Sequence, residues 1–286
     1  MIDDDGAPIY IAGVRSRNPM STVRPAAVAG LFYPGAPSAL AADVRAHIAG
    51  AATSGGALRA LPKAIIVPHA GYIYSGAIAG HGYERLAAAR KTIRRVVLFG
   101  PAHRTWVSGL ALPSARAFAT PFGEVALDAD AIARARTLPQ VLTNDVAHAQ
   151  EHSLEVQLPF LQRMLEDFRI VPFAVGDAKA AEVAEVMELL WGGAETLIVV
   201  SSDLSHYHPY ADARSIDRAT VDRILALSPD LDHEQACGAA PINGLIVAAR
   251  NHRLCPELLD LRNSGDTAGD KSRVVGYASF AFGVQR

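Results

Sequence analysis

Arg95-Val96-Val97-Leu98-Phe99-Gly100-Pro101-Ala102-His103 is the stretch that decides the fold. Its first half is apolar without alternation, the pattern of a strand covered on both faces. A Gly-Pro step then ends the run, and a histidine follows it. Working outward, Ala64–Val67 leads in the same way into Pro68-His69-Ala70-Gly71-Tyr72. Leu197–Val200 leads into Ser201-Ser202-Asp203-Leu204-Ser205-His206-Tyr207-His208. Further strand-like runs are Glu124–Leu127, Arg169–Phe173, Leu258–Arg262 and Val274–Phe282, the last a candidate antiparallel addition. Between them lie helix-like stretches at Ser38–Gly50, Ser75–Arg90, Ala129–Leu138, Glu151–Phe168, Lys179–Trp191, Asp212–Leu227 and Pro241–His252. Ser38 and Ser75 are candidate N-caps and Gly50 a C-terminal stop. The alternation predicts a single-domain α/β/α sandwich with a mostly parallel central sheet. No repeat, low-complexity tract or linker-like shift divides the chain.

The composition excludes more than it selects. Half of the 286 residues are hydrophobic, a fifth are charged, and the net charge is −2 with histidines neutral. No global basic field is present for nucleic acid or an anionic membrane. No apolar run reaches the ~18 residues that span a bilayer. The two cysteines, Cys237 and Cys255, do not make a disulfide framework, so the expected compartment is the cytoplasm. The start of the chain carries Asp3-Asp4-Asp5 and lacks the apolar core of a signal peptide. Residues 1–23 are expected to form a poorly ordered extension or a dispensable leader, and residues 24–286 the α/β domain.

Ten histidines raise the question of whether they gather. In an open α/β sheet, ligands bind outside the carboxyl ends of the strands. Parallel strands would bring His69, His103, Asp203 and His206 to that one edge. Any single histidine is more simply a hydrogen-bonded structural residue, but three strand ends each delivering one are harder to dismiss. Glu151-His152-Ser153-Leu154-Glu155 competes for the same place, although acidic residues at a helix start also serve the dipole. Cys237-Gly238-Ala239-Ala240-Pro241 precedes a helix, where a thiol has a depressed pKa suited to ligation or attack. The plainer reading is a small buried hydrophobe. Cys255 reads as structural, and His47, His81, His148, His233 and His252 receive no role.

No Gly-x-Gly-x-x-Gly, P-loop or Gly-x-Ser-x-Gly motif is present, which disfavours dinucleotide oxidoreductases, NTPases and α/β-hydrolases. Two histidines and one anionic ligand with open positions would let Fe(II) hold an organic substrate and O₂ together. His69 and His103 supply the nitrogens, with Cys237, Asp203 or Glu151 as the third ligand. His206 is the candidate acid or base. A metal-free alternative makes Cys237 a nucleophile activated by His206 and Asp203.

Five motifs in order carry a family resemblance: Pro68–Tyr72, Gly100–His103, Glu151–Glu155, Ser201–His206 and Cys237–Ile242. Together with Arg24-Pro25-Ala26 and Gly30–Pro34, they resemble the Memo family, whose prokaryotic members are known as AmmeMemoRadiSam system protein B. The likeness runs from about Arg24 to the C-terminus. It implies a fold similar to class III extradiol dioxygenases of the LigB superfamily, which hold non-haem Fe(II) with two His and a Glu. Residue by residue, it implies metal ligation by His69, His103 and Cys237, with Asp203 and His206 beside them. A thiolate in place of a carboxylate is softer, so copper or zinc joins iron among the expected metals. The resemblance further implies an unknown small-molecule or peptide substrate and a radical SAM system partner. It also keeps open a non-catalytic metal- or phosphopeptide-binding module.

Overall fold

The apolar runs form the middle of a mixed sheet in the computed structural model, which describes residues 22–52 and 61–284. In chain order the elements are β1 (Val23–Arg24), α1 (Pro37–Ala52), β2 (Ala64–Val67), α2 (Tyr72–Glu84), β3 (Arg95–Pro101) and β4 (Leu110–Leu112). Next come β5 (Ala117–Thr120), β6 (Gly123–Ala126), α3 (Ala129–Ala135), β7 (Val141–Thr143), α4 (Asp145–Ala149), α5 (Leu158–Met164) and β8 (Arg169–Val175). The chain continues through α6 (Ala180–Leu189), β9 (Thr196–Ser201), β10 (His206–His208), α7 (Tyr210–Leu225), α8 (Ala239–Asn251), β11 (Leu254–Asn263) and β12 (Val274–Val284).

Strands β2, β9, β3 and β8 lie side by side and parallel, with Ile66 opposite Val200, Val97 opposite Ile198 and Leu98 opposite Pro172. Their residues Ile65, Val96, Leu98, Phe99, Ile198 and Val200 are wholly buried, as runs without alternation require. Each such side chain contributes roughly 1.5–3 kcal/mol of burial. Helices α1, α2 and α5 pack together as one layer, and α3, α6 and α8 as another. The result is an α/β/α sandwich. The parallel block is narrower than the sequence suggests, because antiparallel strands flank it: β4 against β8 on one side, and β12 against β2 on the other. The β12 strand is the late antiparallel addition expected at Val274–Phe282. Along its other side it pairs with β11, which starts at Leu254, four residues before the expected strand. A small second sheet joins β1, β5 and β6.

Several boundaries move for identifiable reasons. Helix α2 starts at Tyr72 rather than at Ser75, whose hydroxyl donates instead to the carbonyl of Ala70. The stretch expected as one helix from Glu151 to Phe168 is irregular up to Leu154, makes a tight turn at Glu155–Gln157, and becomes helical only at Leu158. Pro159 stands in the first turn there, the position proline favours. Short strands β4, β7 and β10 carry too few residues for a period to show. The extension expected before Arg24 lies outside the described residues up to residue 21, whereas Val23 pairs with Ala117.

Candidate metal centre

The strand order β2–β9–β3 sets three carboxyl ends next to one another. Each chain exit then delivers its polar residue at the same distance beyond the sheet: His69 after β2, Asp203 after β9 and His103 after β3. The loop from 150 to 154 closes over this edge. Gly100 permits its approach, since a Cβ there would stand 2.7 Å from Ser153 Oγ. Ser153 Oγ donates to the carbonyl of Pro101 at 2.9 Å. That loop brings in His152, and ligand atoms of His69, His103 and His152 all lie within 4.8 Å of one another. The rings of His103 and His152 stack with centroids 4.7 Å apart, and His69 meets both edge-on. Phe32 covers His152 from outside at 4.7 Å.

Which nitrogens face the cluster follows from counting donors. The carbonyls of Pro68 and Ser153 can only accept. Gln157 Nε2 donates to Pro68 O at 2.9 Å and to Ser201 Oγ at 2.8 Å, while Gln157 Oε1 accepts from the Tyr83 hydroxyl. The single hydroxyl proton of Ser201 goes to Ser153 O at 2.6 Å. Ser201 has only a lone pair left for His69 Nδ1, 2.9 Å away, so Nδ1 carries the ring proton and Nε2 the lone pair. Burial, helped by the neighbouring His103, pushes His69 down to about 3, so the ring is neutral. His103 is fixed by the same logic. Its Nδ1 and its backbone N–H donate to Glu151 at 2.9 and 2.6 Å, so Nε2 is the ring nitrogen left for the cluster. Burial opposes the charge on Glu151, but the bonds from His103 and Ser153 outweigh it and hold the carboxyl at about 2. Burial and His69 bring His152 to about 4, and its Nδ1 has no hydrogen-bond partner among the described residues.

These donors, graded from buried His69 to solvent-facing His103, fit a divalent metal. Neutral imidazoles backed by a carboxylate or hydroxyl are the usual way a metal-binding histidine is oriented. The glutamates are thus not dipole partners at a helix start. Glu151 orients His103. Glu155 is fully buried and paired with Arg24, and also accepts from Ala27 N, Val28 N and the Tyr33 hydroxyl. Arg24 in turn donates to the carbonyls of His148 and Glu151. This knot ties the segment bearing Phe32 to the loop bearing His152.

The remaining candidates border the cluster. Asp203 is buried and its Oδ1 accepts the His69 backbone N–H at 2.7 Å; burial raises its pKa. His206 on β10 is near enough to oppose that rise in part, but no hydrogen bond joins the two among the described residues. Cys237 Sγ stands 3.3 Å from His69 Nε2, 3.7 Å from Asp203 O and 3.9 Å from Ser202 Oγ. A Cβ on Gly238 would lie 2.6 Å from Ser202 Cβ, so only glycine lets this segment close on the loop after β9. The depressed pKa expected near a helix start is not found. Burial, reinforced by Asp203, pushes the thiol far above its ordinary range. With Nε2 of His69 unprotonated, the thiol is the donor in that contact. Cys237 also lines a cavity of about 440 Å³ walled by Trp106, Val107, Val175 and Pro241. Cys255 is exposed, and His148 is a structural residue whose Nε2 meets the carbonyl of Ala111.

Fold and site together define an α/β sandwich with a histidine cluster that could hold a metal at the carboxyl edge of its parallel strands. Residues 24–281 match the model of the Memo-like protein family. A MEMO1 family protein of Archaeoglobus fulgidus is 36% identical over 276 residues, covering 90% of this chain and 98% of its own. One from Methanopyrus kandleri is 36% identical over 281 residues, with 91% and 98% covered. One from Aquifex aeolicus is 38% identical over 234 residues, with 77% and 86% covered. The chain belongs to the Memo-like family. Among solved structures, the uncharacterised Escherichia coli K12 protein JW3007 superposes with a TM-score of 0.51 at 14% identity. The match covers 77% of this chain and 99% of that one, a likeness of fold.

Proposed function

We propose that the protein is a metal-dependent oxidoreductase of dioxygenase type, acting on an organic substrate with Fe(II) held by His69, His103 and a third donor. The observation that carries this reading is the pair of anchored imidazoles: His69 and His103 both keep Nδ1 bound to a partner and leave Nε2 for a metal. His152 is the nearest third donor by geometry, and Cys237, touching His69 Nε2, is the alternative. Fe(II) with open positions supplies a place for O₂ and substrate side by side. The chain supplies the rest. Ser201 and Glu151 hold the imidazoles, Phe32 shields His152 from water, and the cavity beside Cys237 has room for a substrate's apolar body. His206, half-buried beside the cluster, is the candidate to move a proton, with Asp203 as its acidic neighbour. Copper or zinc fits the same nitrogens, and a thiolate ligand would favour them further.

A second reading, a metal-holding docking module without turnover, is favoured by one feature. Leu31, Ile73, Trp106 and Tyr207 are 81, 70, 76 and 62% exposed, and each sits on a segment that also carries a site residue. Exposed apolar groups gathered this way suit a partner or peptide chain. Anaerobic loading with Fe(II), followed by O₂ uptake against a catechol panel, separates the two readings. Stoichiometric iron with substrate-dependent uptake supports the enzyme. Bound metal with no uptake across the panel favours the module, and failure to bind metal overturns both.

A further inference from the structure

We infer that the concavity between α7 and β11 is a second ligand site, for a small multiply charged oxyanion such as a phosphate ester or a polycarboxylate. It has a volume of about 490 Å³ and is lined by Tyr210, Arg214, Arg218, Leu261, Arg262 and Asp266 among others. None of these residues belongs to the metal cluster.

Its cations are not all paired with acids. Arg214 and Arg218 stand at i and i+4 on α7, so their guanidinium groups share a face, and like charges at that spacing oppose each other. Neither has a carboxylate partner among the described residues. A third guanidinium, Arg262, enters from β11 and is held in place by Asp260, its Nε at 2.9 Å from Oδ2. The carboxylates in the wall keep their charge but take up neutral donors rather than the arginines. Asp266 accepts from the Tyr210 hydroxyl at 2.6 Å and from the Asn263 N–H, and Asp217 accepts from the Ser205 N–H. The Tyr210 ring collects cations as well: the Arg214 guanidinium lies 5.7 Å and Lys271 Nζ 4.6 Å from its centroid. Arg214 and Arg218, side by side over one hollow, present the forked donors that phosphate and carboxylate oxygens take up in pairs, with Arg262 paired to Asp260 opposite them. Tyr210 adds an apolar wall on which the ligand's body can rest.

The test uses metal-stripped full-length protein titrated calorimetrically with inorganic pyrophosphate and, separately, with citrate, at fixed ionic strength to hold screening constant. Saturable 1:1 binding of either is expected, and the preferred probe tells phosphate from carboxylate recognition. The double substitution Arg214→Ala/Arg218→Ala is expected to weaken binding by about tenfold or more, the worth of one charge-assisted hydrogen bond. Removing two exposed arginines elsewhere, Arg45→Ala/Arg250→Ala, controls for net charge and leaves affinity unchanged. His103→Ala retains pyrophosphate binding, since the site is separate from the metal cluster. If the double variant does not fold, Arg218→Gln alone is expected to weaken pyrophosphate by about tenfold. The assignment is overturned by any of three results: no saturable binding of either anion, equal affinity after the arginines are removed, or loss of binding in His103→Ala.

Discussion

Removing the hydroxyl of Ser201 should do more damage to metal binding than its distance from the open cleft suggests. Ser201 accepts from His69 Nδ1 and Gln157 Nε2 and donates to Ser153 O. Ser201→Ala orphans the His69 Nδ1–H and the Ser153 carbonyl inside the protein, where each unsatisfied group costs roughly 1–3 kcal/mol. Gln157 keeps Pro68 as acceptor, so the loss in stability is about 2–6 kcal/mol from the two orphans. The tautomer is the second casualty. With no acceptor at Nδ1, the ring gains by moving its proton to Nε2 and donating to Cys237 Sγ. That places a hydrogen where a metal must bind. Metal affinity should fall about 10–100-fold, the usual scale for losing an orienting partner. Competition between the protein and a chromophoric chelator for Zn(II) measures this, and ¹⁵N shifts of the His69 ring in metal-free protein report the tautomer. Ser279→Ala serves as the control, because that buried hydroxyl has no partner among the described residues. An unchanged affinity in Ser201→Ala, or a His69 ring still protonated at Nδ1, would refute the reasoning.

Three further outcomes follow from the same geometry. Glu151→Gln turns an acceptor-only group into one with an N–H aimed at His103 or Ser153; stability should drop by about 1–3 kcal/mol and metal affinity about 10–100-fold, read by thermal melts and chelator competition. His152→Ala and Cys237→Ser separate the two third-donor assignments: with an all-nitrogen set, His152→Ala costs at least about tenfold more affinity than Cys237→Ser, and the reverse order would assign the thiol. Asp217 is raised by burial to about 6. The folded state therefore binds its proton more tightly than the unfolded state, and stability falls as pH rises from about 4 to 6, by about 3 kcal/mol for this group. Asp217→Asn keeps an oxygen for the Ser205 N–H and should remove that slope in denaturant titrations across the window; an unaltered slope excludes Asp217 as its source.

The frame of the fold is legible in the sequence because the central strands are buried on both faces. Runs such as Val96–Phe99 and Ile198–Val200 need no partner to be recognised, and the chain exits at His69, His103 and Asp203 follow from parallel order. What escapes is whatever depends on tertiary pairing. Strands β4, β7 and β10 are three residues each, and Leu110–Leu112 forms a strand only because β8 offers it an edge. The antiparallel edge at β4 is hidden for the same reason, whereas Leu258–Arg262 and Val274–Phe282 read as strands near the chain's end and lie within β11 and β12.

The cluster was half visible, and the missing half has a specific cause. Reading Glu151–Phe168 as one helix makes Glu151 and Glu155 dipole partners and leaves His152 without a direction. Pro159 held the contrary signal: a proline suited to a first turn argues for a helix starting near Leu158 and an irregular segment before it. Once Glu151 to Leu154 is a loop, its acid is free to fold onto His103 and its histidine to stack on the same ring. Cys237 shows the opposite limit. Its neighbourhood to a helix start was legible and suggested a thiolate, but the quantity that decides its state is the burial and the charge of Asp203, which no local pattern displays. A positive ion placed among the imidazoles reverses that sign, because it favours the same negative sulfur that Asp203 opposes. Whether Cys237 is a thiol beside the centre or a ligand within it would therefore be set by a bound metal, and the three histidines are the donors that could bring one there.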